Sequence, residues 1–147
     1  MKKLIFMCAG IVAMAFAGGC NDSIEVQQDY DFAVNTWHLP EDVKLGEVVE
    51  IRFTLRRQGD FKGAEYYIGY VQMQGNGAVC DAAGKFLVNR ERVALKSVTG
   101  LDENDPYALV FTLYYSASSV QKSEVVFSVT DNFGLRRDLM VELTMKQ

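Results

Sequence analysis

From Val49 to Arg56 the chain alternates without a break. Val49, Ile51, Phe53 and Leu55 are apolar, and Glu50, Arg52, Thr54 and Arg56 between them are polar. A period of two sends each set to its own face of an extended chain, so this stretch predicts a strand with one buried and one wet face. On a helix the same four apolar residues would scatter around the axis. The pattern recurs downstream. Leu109, Phe111, Leu113 and Tyr115 share one face of Tyr107–Tyr115, and Val125, Phe127 and Val129 one face of Glu124–Thr130. Leu139, Val141, Leu143 and Met145 form a last alternating strand. Near the start, Asp29–Leu39 reads as a strand with Tyr30, Phe32, Val34 and Thr36 on one face, and Pro40 ends it because it lacks a backbone donor. Glu65–Met73 is a further strand, rich in aromatic residues.

Turn residues separate these runs. Gly75-Asn76-Gly77 predicts a tight turn, because glycine accepts positive φ. Ala78–Cys80 and Lys85–Val88 flank a turn at Asp81–Gly84 and read as a hairpin, and Val93–Leu95 as a short edge strand. Glu41–Gly46, Arg57–Ala64 with its turn residues Gln58-Gly59-Asp60 and Lys62-Gly63, the acidic Asp102–Pro106 and Ser116–Ser119 read as loops, and Asp131–Gly134 as a turn. About seven short strands without a long amphipathic helix predict an all-β fold: an antiparallel β-sandwich whose two sheets each bury one stripe. The immunoglobulin-like version fits the length. It would lack the cysteine pair of antibody domains, and the single Trp, Trp37, comes early in the chain. A β-barrel is the structural alternative.

The first residues follow another logic. Lys2 and Lys3 precede an uncharged apolar run, Leu4–Ala17, and then Gly18-Gly19-Cys20. A basic start, an apolar stretch and small residues before a cleavage point make a secretory signal. Small residues directly ahead of cysteine form a lipobox, in which the thiol of Cys20 receives a diacylglycerol before the chain is cut. The alternatives are a plain signal peptide with a chance cysteine, or a short anchor. The run is shorter than the roughly 20 residues that span a bilayer. The expected organisation is a signal peptide at 1–19, a lipid-anchored tether at 20–28 and one domain at 29–147. The expected location is the cell envelope, at the outer membrane, with Asp22 too little to choose the leaflet.

Removing the first 19 of 147 residues leaves 128, enough for one domain with one core. It also removes Lys2 and Lys3 and takes the net charge from −4 to −6. An acidic chain offers no general attraction for nucleic acid, so direct DNA or RNA binding is not expected. With Cys8 in the signal and Cys20 carrying lipid, Cys80 is left without a disulfide partner, and stability must come from packing. Cys80 itself reads as a small buried hydrophobe.

Catalytic patterns are missing from the sequence. It has no Gly-x-Ser-x-Gly elbow, phosphate loop or dinucleotide fingerprint, and its one histidine, His38, has no second ligand at zinc spacing. The expectation is a non-enzyme with no cofactor. Asp102, Glu103 and Asp105 are calcium candidates if not simply a solvated loop. Tyr66, Tyr67, Tyr70, Tyr114 and Tyr115 are candidates for contacting a partner. Adjacent tyrosines on a strand face opposite ways, so one of each pair packs inside and the other stands outside.

Several stretches together resemble the TraQ-type conjugal transfer proteins of Bacteroides conjugative transposons. They are Val26-Gln27-Gln28-Asp29-Tyr30-Asp31-Phe32, Gly46-Glu47-Val48-Val49-Glu50-Ile51-Arg52, Tyr66-Tyr67-Ile68, Phe111-Thr112-Leu113-Tyr114-Tyr115-Ser116 and Val129-Thr130-Asp131-Asn132-Phe133-Gly134. They span most of the domain in order but are strand and turn residues, so the resemblance carries over no catalytic residue. It implies an immunoglobulin-like lipoprotein of a conjugation apparatus, with a membrane and other envelope proteins of that machinery as partners. The pilin chaperone that shares the TraQ name in enteric F-type plasmids is a different protein. The alternative is a surface lipoprotein, unrelated to conjugation, that binds a glycan or calcium.

Overall fold

The computed structural model describes residues 30–146. The signal segment, Cys20, the tether and Asp29 lie outside the described residues. Ten strands follow in order: β1 (Phe32–Thr36), β2 (Asp42–Lys44), β3 (Val48–Arg57), β4 (Tyr66–Gln74), β5 (Gly77–Cys80), β6 (Arg92–Ala94), β7 (Asp102–Asp105), β8 (Ala108–Ala117), β9 (Ser123–Asp131) and β10 (Arg136–Lys146). A single 3-10 turn at Leu95–Ser97 follows β6.

The strands form two sheets. In the first, β1 pairs with β3 and β3 with β8, and the far edge of β8 is shared by β5 and β7. In the second the order is β2-β10-β9-β4-β6. Every pairing is antiparallel except β2 with β10. The spatial orders β1-β3-β8-β5 and β10-β9-β4-β6 match the A-B-E-D and G-F-C-C′ sheets of a variable-type immunoglobulin sandwich. The connection departs from that scheme in one respect: the chain visits the first sheet as β5 before it lays down β6 on the second.

The alternation read from the sequence places the core. Ile51, Phe53 and Leu55 of β3, Phe111 and Leu113 of β8, and Val125, Phe127 and Val129 of β9 are all buried. The Phe53 ring stacks on Phe111 in its own sheet at 4.9 Å and meets Phe127 of the opposite sheet edge-on at 5.0 Å. Tyr70 of β4 adds a ring 6.3 Å from Phe127. In antibody domains this inter-sheet position holds a disulfide covered by a strand-C tryptophan. Here aromatic rings fill it, and truncating one such ring to Ala typically costs about 3–5 kcal/mol.

Two stretches read as loops contain short strands. In Glu41–Gly46, Val43 alone is buried and β2 pairs with the end of β10. One apolar residue cannot show a period. Within Asp102–Pro106, all four residues of β7 are exposed, and backbone pairing with Val110 and Ala108 alone makes it a strand. The hairpin after Gly77 is a minimal one, with a bridge between Cys80 and Phe86 and a bond from the Leu87 N–H to the Val79 carbonyl. Cys80 is half-buried rather than a core residue, because Val79 takes the inward position on β5.

The Gly75-Asn76-Gly77 turn divides its glycines by task. Gly75 has φ +75°, whereas Gly77 has no positive φ. What Gly77 supplies is space. A Cβ there would lie 2.3 Å from Tyr115 Oη. Tyr115 is fully buried, its hydroxyl donates to Ser123 Oγ at 2.9 Å, and it accepts from Gln72 Nε2 at 3.0 Å. Gly77→Ala is therefore expected to destabilise the fold by about 1–3 kcal/mol through overpacking. Gly84→Ala, in open space at φ +80°, should cost only about 1 kcal/mol of left-handed strain. Denaturant midpoints at unchanged m-value check the difference.

Asp81, buried just after β5, fastens the excursion between β5 and β7 at both ends. Its Oδ1 accepts from the N–H groups of Ala83 and Lys85 at 3.0 Å each, and its Oδ2 from the Thr99 N–H at 3.2 Å. Burial pushes this carboxyl up, but the donors of Lys85, Thr99 and Ala83 outweigh it and hold the pKa below the usual 3.8. A depressed carboxyl pKa stabilises the fold above its unfolded value and loses that contribution as pH falls through the folded value. The stability gap between the wild type and Asp81→Asn should thus be constant near neutrality and shrink only below about pH 4, as read by denaturant titration across pH.

A candidate docking cleft at the polar end of the sandwich

The inward face of each sheet turns polar at one end. On β3 the buried series Val49, Ile51, Phe53 and Leu55 is followed, in phase, by Arg57, whose side chain is 10% exposed. On β9 the series Val125, Phe127 and Val129 runs into Asp131, and on β10 the inward positions run back to Arg137. Arg57 is held by carbonyls. Its Nε donates to Pro106 at 2.6 Å and its Nη1 to Phe61 at 3.3 Å, and its Nη2 lies 3.6 Å from the Asp60 carboxylate. These bonds tie the loop after β3 to the turn before β8. Arg137 donates from Nε to the Phe32 carbonyl at 3.1 Å, pairs with Asp31 and lies over the Phe32 ring.

Beside Arg57 the two sheets part, leaving a cleft of about 330 Å³. That is the small end of the roughly 300–1,000 Å³ range of ligand pockets. Phe61, Ala64, Leu95, Leu101, Pro106 and Leu109 give it apolar walls. Lys62, Glu65, Lys96 and Glu103 stand around them as an exposed, mixed-charge rim. Tyr66 lines it too: the Arg57 guanidinium stands close enough to its buried hydroxyl to act on it, but no well-formed hydrogen bond results and the phenol proton has no acceptor. Directly opposite Tyr66 across the β4–β9 ladder is Asp131, whose Oδ1 accepts from the Phe133 and Leu135 N–H groups while its buried Oδ2 is unpaired. Burial raises the Tyr66 pKa above 10, Arg57 pulls the other way, and Asp131 adds to the rise. The phenol is therefore a neutral donor at physiological pH. Left unpaired, such a group costs about 1–3 kcal/mol.

The structure brings Tyr66, Tyr67 and Glu103 together at this cleft and distributes the other candidates elsewhere. Tyr70 and Tyr115 are core residues, and Tyr114 is half-buried on the outer face of the first sheet. Each adjacent pair divides as strand geometry requires, with Tyr66 and Tyr115 inward and Tyr67 and Tyr114 on opposite outer faces. The tyrosines thus form no single aromatic platform. Asp102 and Asp105 accept from the N–H groups of Asn104 and Tyr107, closing local turns. Among the described residues, no three His, Cys, Asp or Glu side chains gather at metal-binding spacing. On sequence Arg57 falls in the loop after β3 and is no site candidate, whereas it is the last residue of that strand. Its signal was present, since an arginine in phase with Val49–Leu55 must face inward.

Comparison with known proteins places this geometry in context. The TraQ conjugal transfer protein family matches residues 3–146. A conjugative transposon lipoprotein from Bacteroides eggerthii is 29% identical, with TM-score 0.63 over 78% of this chain and 97% of that one. A lipoprotein from Bacteroides thetaiotaomicron is 28% identical, with TM-score 0.65 over 86% and 89% of the two chains. A conjugate transposon protein from Bacteroides vulgatus is 25% identical, with TM-score 0.63 over 84% and 91%. No curated protein sequence matches the chain. With the family matched across nearly the whole length and its sandwich shared by these structures, the chain belongs to the TraQ conjugal transfer protein family.

Proposed function

We propose that the chain is a non-catalytic, lipid-anchored module of a conjugative transposon's transfer apparatus. In this reading it docks on another envelope protein of that apparatus by receiving an apolar side chain in the cleft beside Arg57. The observation that carries the reading is the buried, unpaired Tyr66 hydroxyl among apolar cleft walls. An apolar anchor followed by a main-chain carbonyl would fill the cleft and satisfy that donor together, which is the chemistry of an interface hot spot. The rim of Lys62, Glu65, Lys96 and Glu103 would set orientation more than affinity. Lipid on Cys20 would hold the domain at the outer membrane and raise its effective concentration near a partner in that envelope, so a small contact suffices. The relatives described as lipoproteins support the anchor.

Tyr66→Phe separates docking from folding. Deleting an unsatisfied buried hydroxyl should raise stability, by about 1 kcal/mol in denaturant titration, while weakening the docked state. In donor cells, a clean deletion should abolish conjugation, and wild-type protein should restore it. A Cys20→Ala complement should fail to restore it, and Tyr66→Phe and Lys62→Glu/Lys96→Glu complements should restore it only in part. Normal transfer from the deletion would overturn the reading. Full rescue by both cleft variants would overturn the cleft as the docking site.

A further inference from the structure

A second concave site lies on the outer face of the second sheet and shares no lining residue with the cleft. Its floor is Gly69 of β4, which faces outward between Arg92 of β6 and Ser128 of β9. With no side chain there, a hollow of about 260 Å³ opens, bordered by Arg90, Arg92, Arg136, Ser128 and Thr130. The hollow cannot be filled from below, since a Cβ on Gly69 would lie 2.7 Å from the Glu91 carbonyl.

Guanidinium groups approach from both sides. Arg92 donates from Nη1 to Thr130 Oγ1 at 3.0 Å, with its charge 5.9 Å from the Tyr67 ring centre. Arg136 donates from Nε to Asp138 at 2.7 Å and from Nη2 to Ser128 Oγ at 3.1 Å. The two are thus drawn toward hydroxyls two residues apart on one strand, and each keeps unspent N–H donors of the five that a guanidinium carries. Glu91 borders the hollow and Asp138 pairs with Arg136, so three arginines against these two carboxylates leave one net positive charge there on a chain that is acidic overall.

Arg90 adds an independent sign. It is the sole non-glycine residue with positive φ among the described residues, at 72°. Its N–H bonds the Tyr70 carbonyl at 2.9 Å, and the main-chain carbonyl of the next residue, Glu91, lies over Gly69. A left-handed arginine costs about 1–2 kcal/mol that glycine would not. Strain kept where a cheaper residue would serve points to a use for the side chain.

We propose that the hollow formed by Gly69, Arg90, Arg92, Arg136, Ser128 and Thr130 binds a phosphate group. Several guanidinium forks and the Thr130 hydroxyl suit a tetrahedral anion with three or more acceptor oxygens, which a carboxylate cannot match, while the Ser128 hydroxyl donates to Asp138 at 2.7 Å and serves to position Arg136. The test is titration of the isotope-labelled, lipidated protein in detergent micelles with inorganic phosphate and with glycerol 3-phosphate, at fixed ionic strength. Saturable shifts of the Gly69, Arg92, Ser128 and Thr130 amides are expected. Tighter binding of glycerol 3-phosphate would assign the source to a lipid headgroup, and equal binding to free phosphate. Arg90→Gly should weaken binding about tenfold or more without loss of stability, because it relieves the strain while removing the charge. Arg52→Ala, on the outer face of the other sheet, should leave binding unchanged. The proposal is overturned if the shifts do not saturate, if acetate saturates the same amides as well as phosphate, or if Arg52→Ala weakens binding as much as Arg90→Gly.

Discussion

The contact between Phe53 and Phe127 is the one on which the two sheets depend. Each ring sits at the middle of its sheet's buried stripe, and Phe111 and Tyr70 complete an aromatic layer around them. Among the described residues no cystine backs this layer, and Cys80 is free and half-buried. The sandwich is therefore held by alternation itself. A one-residue slip of β3 against β8 would turn Phe53 and its neighbours outward and bring Arg52 and Thr54 inward. The register is correspondingly well specified, and the chemistry at the ends of the strands inherits its precision from the rings at their centre.

The long strands were legible because each buries one face. Wherever that condition failed, the sequence fell silent. β7 is wholly exposed and β2 buries only Val43, so neither has a period to detect, and their existence follows from partners distant in sequence. Gly77 read as a turn residue because glycine usually marks backbone freedom, whereas its role is set by a tyrosine 38 positions away in strand β8. The candidate tyrosines were correctly divided between inside and outside by strand geometry. Which of them would meet Arg57, Phe61 and Leu101 depended on how the sheets part at one end, and no local pattern encodes that. Arg57 and Asp131 were the overlooked clue: charged residues in phase with an apolar stripe mark where a core ends and a site can begin.

The two concave features use opposite sides of the same sheet. The cleft opens onto the inner face, where Tyr66 and Asp131 keep unpaired atoms among apolar walls. The hollow lies on the outer face, where Gly69 leaves a gap among arginines. Tyr67 links them, lining the cleft while its ring lies beside Arg92. Strand β4 thus offers an apolar recess and a cationic one within a few residues. A rigid sheet can hold both, because its alternating side chains have little freedom to move toward each other.

Arg137 ties the beginning of the domain to its end. Its side chain bonds the carbonyl of Phe32 and the carboxylate of Asp31, more than a hundred positions earlier, while β10 also carries β2 at its edge. Both N-terminal elements thus wait on the last strand of the chain. A nascent chain that has not yet delivered β10 leaves β2 with no strand to pair with and the outer edge of β1 unfastened. Closure of the two sheets at this end therefore depends on residues more than a hundred positions apart, so a domain shortened at either end of this tie would lose both edges together.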